Sequence, residues 1–330
     1  MKKVVVTDPD VWPWLDTTDG RLDFVFVPPG DQVRLRCELA DAWAYVGIFL
    51  DETTAGAVGP GFCVAQITAA GTEHIAVGSL PTGTIVANAS GHGRSIAEHV
   101  LMVLLAVRRQ LLGVDAGLRH GRWANRIAAP QDAPVFTTLE ESTVGVVGFG
   151  HIGRSIAQLC RAVGMNVIAV NRTPHTADPD ATRVDGMDAL PTLLEESDIV
   201  VLACPLTEDT RGLIGGPELK LLGPEGILIN VARGPIVDEE ALYDALKDGT
   251  IAGAAIDVWY KPVSGDASSS PSTLPFNYLN NIVMTPHYSA TASNTYKERA
   301  RGVLQTLLEA ADGRPVSRVV DLVGSAERHG

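Results

Sequence analysis

Residues 143–173 read TVGVVGFGHIGRSIAQLCRAVGMNVIAVNRT, and this stretch decides the fold. It opens with an apolar run at 144–147, which predicts a short buried strand. A G-x-G-x-x-G pattern follows, and apolar residues then recur at helical spacing until Gly164. A second apolar run at 167–170 predicts another strand. The stretch therefore predicts a strand, a glycine turn, a helix and a second strand within about 30 residues.

The three glycines of the pattern each suit a different contact with a dinucleotide. Gly148 permits the tight turn, Gly150 lets a pyrophosphate approach the backbone, and Gly153 lets the helix pack on the strand. The first helical residues, His151 and Ile152, would offer free N–H groups and partial positive charge to the phosphates. The complete unit favours a dinucleotide site over the alternative, a glycine-tolerant α/β turn that binds nothing.

Short apolar runs alternate with helix-like segments along the rest of the chain. Such alternation predicts parallel sheets covered by helices, and a chain of 330 residues suits two α/β domains. We expect two Rossmann-like, doubly wound parallel-sheet domains with a cleft between them. The predicted substrate domain comprises residues 1–105 plus 291–330, and the predicted dinucleotide-binding domain comprises residues 106–290.

The composition is that of a globular protein with an acidic balance. Hydrophobic residues make up 45% of the chain, and the formal net charge is −13. This charge argues against nucleic acid or an anionic membrane as a partner. No apolar run reaches membrane-spanning length, so we expect no anchor, no signal peptide and a cytoplasmic location. The four cysteines show no paired spacing, which indicates reduced thiols, and no metal site is predicted.

Polar residues follow several predicted strands. Asn230 and Arg233 follow one, Asp257 ends the next, and His287 follows the last. The carboxyl ends of the strands in a doubly wound sheet face one crevice, so these side chains should converge. Arg233 can bind a carboxylate through two hydrogen bonds, and its alternative role is a surface ion pair. His287 can exchange a proton near neutral pH, and its alternative role is structural.

Several motifs occur together and in order: VGVVGFGHIG, CPLTEDT, INVARGPIVDEEAL, AGAAIDVW and MTPH. With these motifs the chain resembles the D-2-hydroxyacid dehydrogenases, a family that includes formate and phosphite dehydrogenases. AAGTEHI, SIAEH and GRW extend the resemblance upstream, so that it covers roughly residues 60–310. CPL, DVW and MTPH are the motifs most similar to formate dehydrogenases.

The resemblance implies a role for each matching residue. Arg233 would bind the substrate carboxylate and polarise its carbonyl, and His287 would donate the proton as the nicotinamide delivers hydride. The backbone amides of Ala70 and Gly71 would hold the carboxylate. Asp257 would hydrogen-bond the nicotinamide carboxamide. The remaining cofactor contacts would be Val231 and Ala232 beside the carboxamide, Cys204 and Pro205 along the cofactor, and Thr210.

One departure from the family concerns the partner of the histidine. An acidic residue usually lies five positions after the aspartate of the DV motif, whereas this chain has Pro262 and formate dehydrogenases have glutamine. Without a neighbouring carboxylate, His287 should titrate near the reference pKa of about 6.5. We therefore predict that reduction of 2-oxo acids is favoured at mildly acidic pH and weakens above neutrality. Asp266 in the following loop is a candidate substitute.

A second departure concerns the cofactor. The position that usually carries an acid for the ribose hydroxyls is Asn171, followed by Arg172 and Thr173. An aspartate would repel a 2′-phosphate, whereas Arg172 and Thr173 could bind one. NADP is therefore favoured over NAD, and the alternative is that Arg172 stacks on the adenine of NAD.

Together these features predict an NAD(P)-dependent oxidoreductase that transfers hydride between nicotinamide and a small anionic substrate, a 2-oxo or D-2-hydroxy acid. One alternative is a dinucleotide-sensing binding protein without turnover, since fold does not fix function. Another is oxidation of a small anion such as formate or phosphite. The nearly all-apolar helix from Ser95 to Leu112 must be covered on most sides, by the domain junction or by a second subunit. It suggests a homodimer, as in the family.

Overall fold

The computed structural model describes residues 1–71, 74–89, 91–127, 131, 135–175, 178–261, 269–317 and 319–320. These residues form two compact units. The first contains the described residues of Met1–Gly91 and Thr291–Gly330, and the second contains those of His92–Ala290. The first boundary therefore falls at residue 91, whereas the sequence placed it at residue 105.

The strands, in chain order, are β1 (Lys2–Val6), β2 (Leu22–Phe26), β3 (Ala44–Gly47), β4 (Val64–Ile67), β5 (Ile85–Ala87), β6 (Thr143–Val147), β7 (Asn166–Val170), β8 (Arg183–Asp185), β9 (Ile199–Leu202), β10 (Ile227–Asn230), β11 (Gly253–Ile256) and β12 (Ile282–Met284). The helices are α1 (Gln32–Leu39), α2 (Glu52–Ala55), α3 (Gly93–Arg108), α4 (Leu111–Arg119), α5 (His151–Ala162), α6 (Leu190–Glu196), α7 (Gly216–Leu222), α8 (Glu239–Lys247) and α9 (Ser293–Ala311).

The first unit contains a parallel sheet with strand order β2-β1-β3-β4-β5. Every residue of β3 and β4 is buried, as expected for strands that helices cover on both faces. α9 packs in this unit, and its Ala300, Val303 and Leu307 join a core cluster with Val4 and Val6 of β1.

The second unit contains a parallel sheet with strand order β12-β11-β10-β9-β6-β7-β8. The order reverses at β6, which pairs with β7 on one side and β9 on the other. Ligands of such sheets bind at this kind of switch point, beyond the carboxyl ends of the strands. The prediction of two parallel-sheet α/β units is confirmed. The short strand β8 was not predicted.

α3 explains why the boundary lies before residue 105. It packs against α5 and against β10, β11 and β12, all of which belong to the second unit. Its buried residues Ile96, Val100 and Leu104 belong to the same core cluster as Val144 and Ile156. Its apolar face is therefore covered by the second unit's own sheet and helix. Within the described residues, every helix is too short or too polar to cross a lipid bilayer.

Candidate active site

The glycine turn leaves β6 at the switch point of the second sheet. Gly148 has a positive φ of 94°, and its N–H donates to the carbonyl of Val170 at 2.8 Å. A β-carbon at Gly148 would lie 2.6 Å from the backbone nitrogen of Cys204. Both the backbone angle and this close approach require glycine.

The other two glycines of the pattern meet different surroundings. A β-carbon at Gly153 would lie 2.1 Å from the carbonyl oxygen of Gly148, so α5 can pack this closely on the turn only with glycine there. A β-carbon at Gly150 would meet nothing within 4 Å. Gly150 is the N-cap of α5, and no side chain caps that helix end. The first turn of α5 therefore offers N–H groups beside open space, which suits a pyrophosphate.

Asn171 links the end of β7 to the glycine turn. Its Oδ1 accepts from the N–H of Phe149 at 3.3 Å, and its Nδ2 donates to the carbonyl of Thr173 at 3.2 Å. The side-chain amide of Asn171 is thus bound to backbone on both sides. The next two residues, Arg172 and Thr173, are exposed. The position that usually carries an acidic residue in the family is the neutral Asn171 here, and the cation Arg172 follows it.

The segment after β9 is closed by its own hydrogen bonds. Thr210 Oγ1 donates to the carbonyl of Pro205 at 2.7 Å and accepts from the N–H of Thr207 at 2.7 Å. Cys204 is buried, and burial raises the pKa of its thiol to about 11. The Cys204 thiol is therefore protonated at neutral pH and is a poor nucleophile. The hydroxyl of Thr210 thus closes this turn, and the cofactor contact that the resemblance implies stays a prediction.

The loop after β10 carries Arg233. Asn230, 1% exposed at the end of the strand, donates from Nδ2 to the carbonyl of Arg233 at 2.9 Å and accepts at Oδ1 from the N–H of Ala232 at 3.0 Å. The half-buried Arg233 donates from Nη1 to the carbonyl of Ala232 at 2.7 Å. Val231 and Ala232 are buried in the core clusters. A single buried amide therefore fixes the backbone that presents the guanidinium.

Asp257 follows β11 and binds residues on both sides of His287. Its Oδ1 accepts from the hydroxyl of Thr285 at 2.6 Å and from the N–H of Tyr288 at 3.1 Å. Its Oδ2 accepts from the N–H of Ser289 at 3.1 Å. We call these four residues, Asp257, Thr285, Tyr288 and Ser289, the Asp257 network.

His287 itself has an unusual backbone conformation. Its φ is 57°, and among the described residues other than glycine a positive φ occurs elsewhere only at Gln110. Such a conformation costs about 1–3 kcal/mol and persists only where the surroundings impose it. His287 is exposed at this end of the sheet.

Two further side chains complete this edge, and the sequence had not assigned them a role. Trp259 Nε1 donates to the carbonyl of Thr285 at 2.9 Å, and a β-carbon at Gly234 would lie 2.3 Å from the carbonyl of Trp259. Trp259 therefore lies between the Arg233 loop and the His287 loop. His99, on α3, has its Nε2 3.4 Å from Thr285 Oγ1 and 4.0 Å from Asp257 Oδ1. A histidine within an apolar helix was the one available sequence signal.

Burial and hydrogen bonding determine the charges of Asp257 and His99. Burial alone would raise the pKa of Asp257, but the hydrogen bonds from Ser289, Thr285 and Tyr288 outweigh it, and the pKa lies below its usual value. Burial lowers the pKa of His99 against the opposing charge of Asp257. At neutral pH Asp257 is therefore a carboxylate, and the neighbouring His99 is a neutral imidazole.

The loop after β4 carries Ala70 and Gly71 in the first unit. The carbonyl of Ala69 accepts from the N–H of Ala89 at 3.3 Å, and the carbonyl of Ala70 accepts from Asn88 Nδ2 at 2.8 Å. The carbonyls of Ala69 and Ala70 are therefore engaged in hydrogen bonds within the first unit. Pro262 and Asp266, on which the prediction about the partner of His287 depended, lie outside the described residues.

The predicted residues of the second unit all lie at one edge of its sheet. The glycine turn follows β6, the Cys204 segment follows β9, and the loops of Arg233 and His287 follow β10 and β12. β11 separates the last two strands, so their backbones are about 10 Å apart at the sheet. The described residues contain no cluster of three or more His, Cys, Asp or Glu side chains that could hold a metal ion.

Comparison with known proteins agrees with this geometry. Residues 101–289 match the family model of the D-isomer specific 2-hydroxyacid dehydrogenase, NAD binding domain. Glycerate dehydrogenase of Methylorubrum extorquens is 34% identical over 67% of this chain and 66% of its own length. D-3-phosphoglycerate dehydrogenase of Archaeoglobus fulgidus is also 34% identical, over 73% of this chain and 43% of its own length. The matched segment thus spans no more than about two thirds of these relatives.

Solved structures of other proteins share the fold of this chain over nearly its whole length. A D-isomer specific 2-hydroxyacid dehydrogenase from Xanthobacter autotrophicus, in complex with NADPH and MES, is 27% identical with a TM-score of 0.80, covering 97% of this chain and 98% of that one. D-lactate dehydrogenase with NAD⁺ from Lactobacillus jensenii shares the fold, with 24% identity, a TM-score of 0.76, and 96% and 99% coverage. The family model matches more than half of the chain, and the chain belongs to the D-isomer specific 2-hydroxyacid dehydrogenase family.

Proposed function

We propose that this protein is an NAD(P)-dependent oxidoreductase that transfers hydride between nicotinamide and a small 2-oxo or D-2-hydroxy acid. The observation that carries the proposal is the edge of the second sheet, where the glycine turn, the Arg233 loop and the His287 loop follow strands of the same sheet. The relatives named for glycerate and D-3-phosphoglycerate support a 2-hydroxy acid as substrate.

The residues of this chain would divide the work as follows. Arg233 binds the carboxylate of the acid and polarises the neighbouring carbonyl with its fixed positive charge. His287 donates a proton to the carbonyl oxygen during reduction and takes it back during oxidation. The amides of Ala70 and Gly71 hold the carboxylate. The nicotinamide, when bound, supplies or accepts the hydride.

The test of this function is consumption of NADPH and NADH with a panel of 2-oxo acids, such as glyoxylate, pyruvate and hydroxypyruvate. We expect turnover in the wild type, and a loss of kcat/KM of about 1,000-fold or more in Arg233→Ala and His287→Gln. Arg211→Ala, an exposed arginine on the same unit, is the matched control. Tight cofactor binding without turnover would favour a dinucleotide-sensing protein. NAD(P)H formation with formate or phosphite alone would favour the other alternative.

For the cofactor we propose NADP in preference to NAD. The 2′-phosphate would meet Arg172 and Thr173, and the neutral amide of Asn171 would not repel it. The Xanthobacter structure with NADPH supports the proposal, although the Lactobacillus one holds NAD⁺. We expect Arg172→Ala to lower kcat/KM for NADPH about tenfold and to leave NADH unchanged. Arg161→Ala at the other end of α5 is the control, and an NADH preference in the wild type would refute the proposal.

We also propose a homodimer that covers an apolar surface on α3 and α4. The α3–α4 surface consists of Met102, Leu105, Leu111, Leu112, Val114 and Leu118, each between 38% and 57% exposed. Several exposed apolar residues on two consecutive helices favour an interface, and a second copy is the occupant that the family suggests. Light scattering should give twice the mass of one chain, and Leu112→Glu should give monomers. Val33→Glu, an exposed apolar position on α1, should leave the mass unchanged, and a monomeric wild type would contradict the proposal.

A further inference from the structure

The Asp257 network brackets the residue proposed to exchange the proton. Thr285 lies two positions before His287, and Tyr288 and Ser289 are the next two residues. All three donate to the carboxylate of Asp257, which is 1% exposed. Ser289 is held a second time, because its carbonyl accepts from Ser95 Oγ at 2.7 Å. The left-handed residue therefore lies between fixed points on both sides.

We propose that Asp257 is a positioning residue that holds the left-handed backbone at His287 and thereby aims the imidazole at the substrate. The proposal rests on the function proposed above. Asp257 acts through hydrogen bonds to Thr285, Tyr288 and Ser289, and this role differs from the cofactor contact that the resemblance implied.

The acceptor geometry of the carboxylate supports this assignment. Three donors point at its two oxygens, and an ionised carboxylate is the side chain that can accept from all of them, because it carries no donor. An asparagine of the same shape keeps one oxygen and places an N–H₂ group opposite donors from the loop. Because the site is buried, no water molecule can accept a hydrogen bond from the facing donors, so the loop must move.

The first experiment measures the loop directly in the protein without cofactor. Hydrogen exchange of the Tyr288 and Ser289 amides is compared in the wild type and Asp257→Asn, and we expect about tenfold faster exchange or more in the variant. Asp198→Asn is the control. Asp198, which precedes β9, also accepts from a backbone N–H, that of Thr143 at 2.8 Å, but it lies outside the Asp257 network. Unchanged exchange in Asp257→Asn would overturn the proposal.

The second experiment separates positioning from cofactor contact. In Asp257→Asn we expect kcat to fall about 100-fold, as a small misplacement of a catalytic group does. The Kd for NADPH, measured by fluorescence, should change less than about threefold, whereas a lost cofactor hydrogen bond would raise it about tenfold or more. A rise in Kd with kcat retained would overturn the proposal.

The third experiment asks whether Asp257 acts through His287. In a His287→Gln background, the further change Asp257→Asn should lower the residual rate by less than about twofold, because the group it positions is gone. Loss of another 100-fold there would refute the proposal.

Thr285 provides a milder variant in case Asp257→Asn does not fold. Thr285→Val should lower kcat about tenfold, and Thr285→Ser, which keeps the hydroxyl, should restore it. Equal rates in the two variants would contradict the network. If the wild type turns over no acid, the proposed function fails, and amide exchange still decides whether Asp257 holds the loop.

Discussion

The turn after β6 and the turn after β12 leave the same edge of one sheet, and each contains a residue with a positive φ. In the first turn that residue is Gly148, with φ 94°; in the second it is His287, with φ 57°. Glycine adopts this conformation without help, whereas histidine is held in it by the Asp257 network. The first turn is therefore encoded by residues next to one another in the chain. The second depends on the carboxylate of Asp257, thirty positions before His287 in the chain.

The substitution expected to have the largest effect adds a methyl group to the glycine turn. Gly148→Ala should lower the free energy of unfolding by about 3 kcal/mol, because the β-carbon meets the backbone of Cys204 and the backbone angle disfavours alanine. Urea unfolding followed by circular dichroism gives the value.

The matched control lies two residues further along the turn. Gly150→Ala should change the free energy of unfolding by less than about 0.5 kcal/mol, because its β-carbon meets nothing within 4 Å. It should weaken NADPH binding about tenfold, since the new methyl group enters the space proposed for the pyrophosphate. Equal destabilisation by the two substitutions would show that the turn does not differ between these positions as described.

The same contrast explains what the sequence could predict. The glycine turn, the parallel strands and the position of the polar residues at strand ends all follow from local patterns. β8 escaped prediction because its three residues, Arg183–Asp185, include two charged ones and show no apolar run. The end of the first unit was misplaced because the sequence of α3 does not say which sheet covers its apolar face.

The contacts of the candidate site depended on residues far apart in the chain. His99 and Thr285 approach each other across 186 positions, and no periodicity reports such a pair. Asn230 was identified as a polar residue at a strand end, but its bonds to the Arg233 loop follow from the backbone path of that loop. Residue type could be predicted at the site, whereas the partner of each polar atom could not.

A medium effect should appear at His287 itself. His287→Gly should be more stable than His287→Val by about 1–2 kcal/mol, because glycine accepts the left-handed conformation and a β-branched residue does not. Urea unfolding of both variants measures the difference. At Thr138, an exposed residue with an ordinary φ of −80°, valine should be at least as stable as glycine. The same order of stability at both positions would mean that the conformation at His287 is not imposed as described.

The smallest effect is a dependence of stability on pH that arises at His99. Burial lowers the pKa of His99 in the folded protein, so below about pH 6.5 the unfolded chain binds a proton that the folded protein does not. The free energy of unfolding should therefore be unaffected by His99 above that pH. It should fall as the pH decreases below it, by at most about 1.4 kcal/mol per pH unit.

The contribution of His99 can be separated from that of its neighbour Asp257. The pKa of Asp257 is lowered, so its stabilisation is present above its unfolded value of about 3.9 and is lost only at more acidic pH. Between pH 8 and pH 5, therefore, only His99 of these two groups contributes to the change in stability. His99→Gln, a neutral replacement, should flatten the decline over this range in urea titrations, and parallel curves for wild type and variant would contradict the assignment.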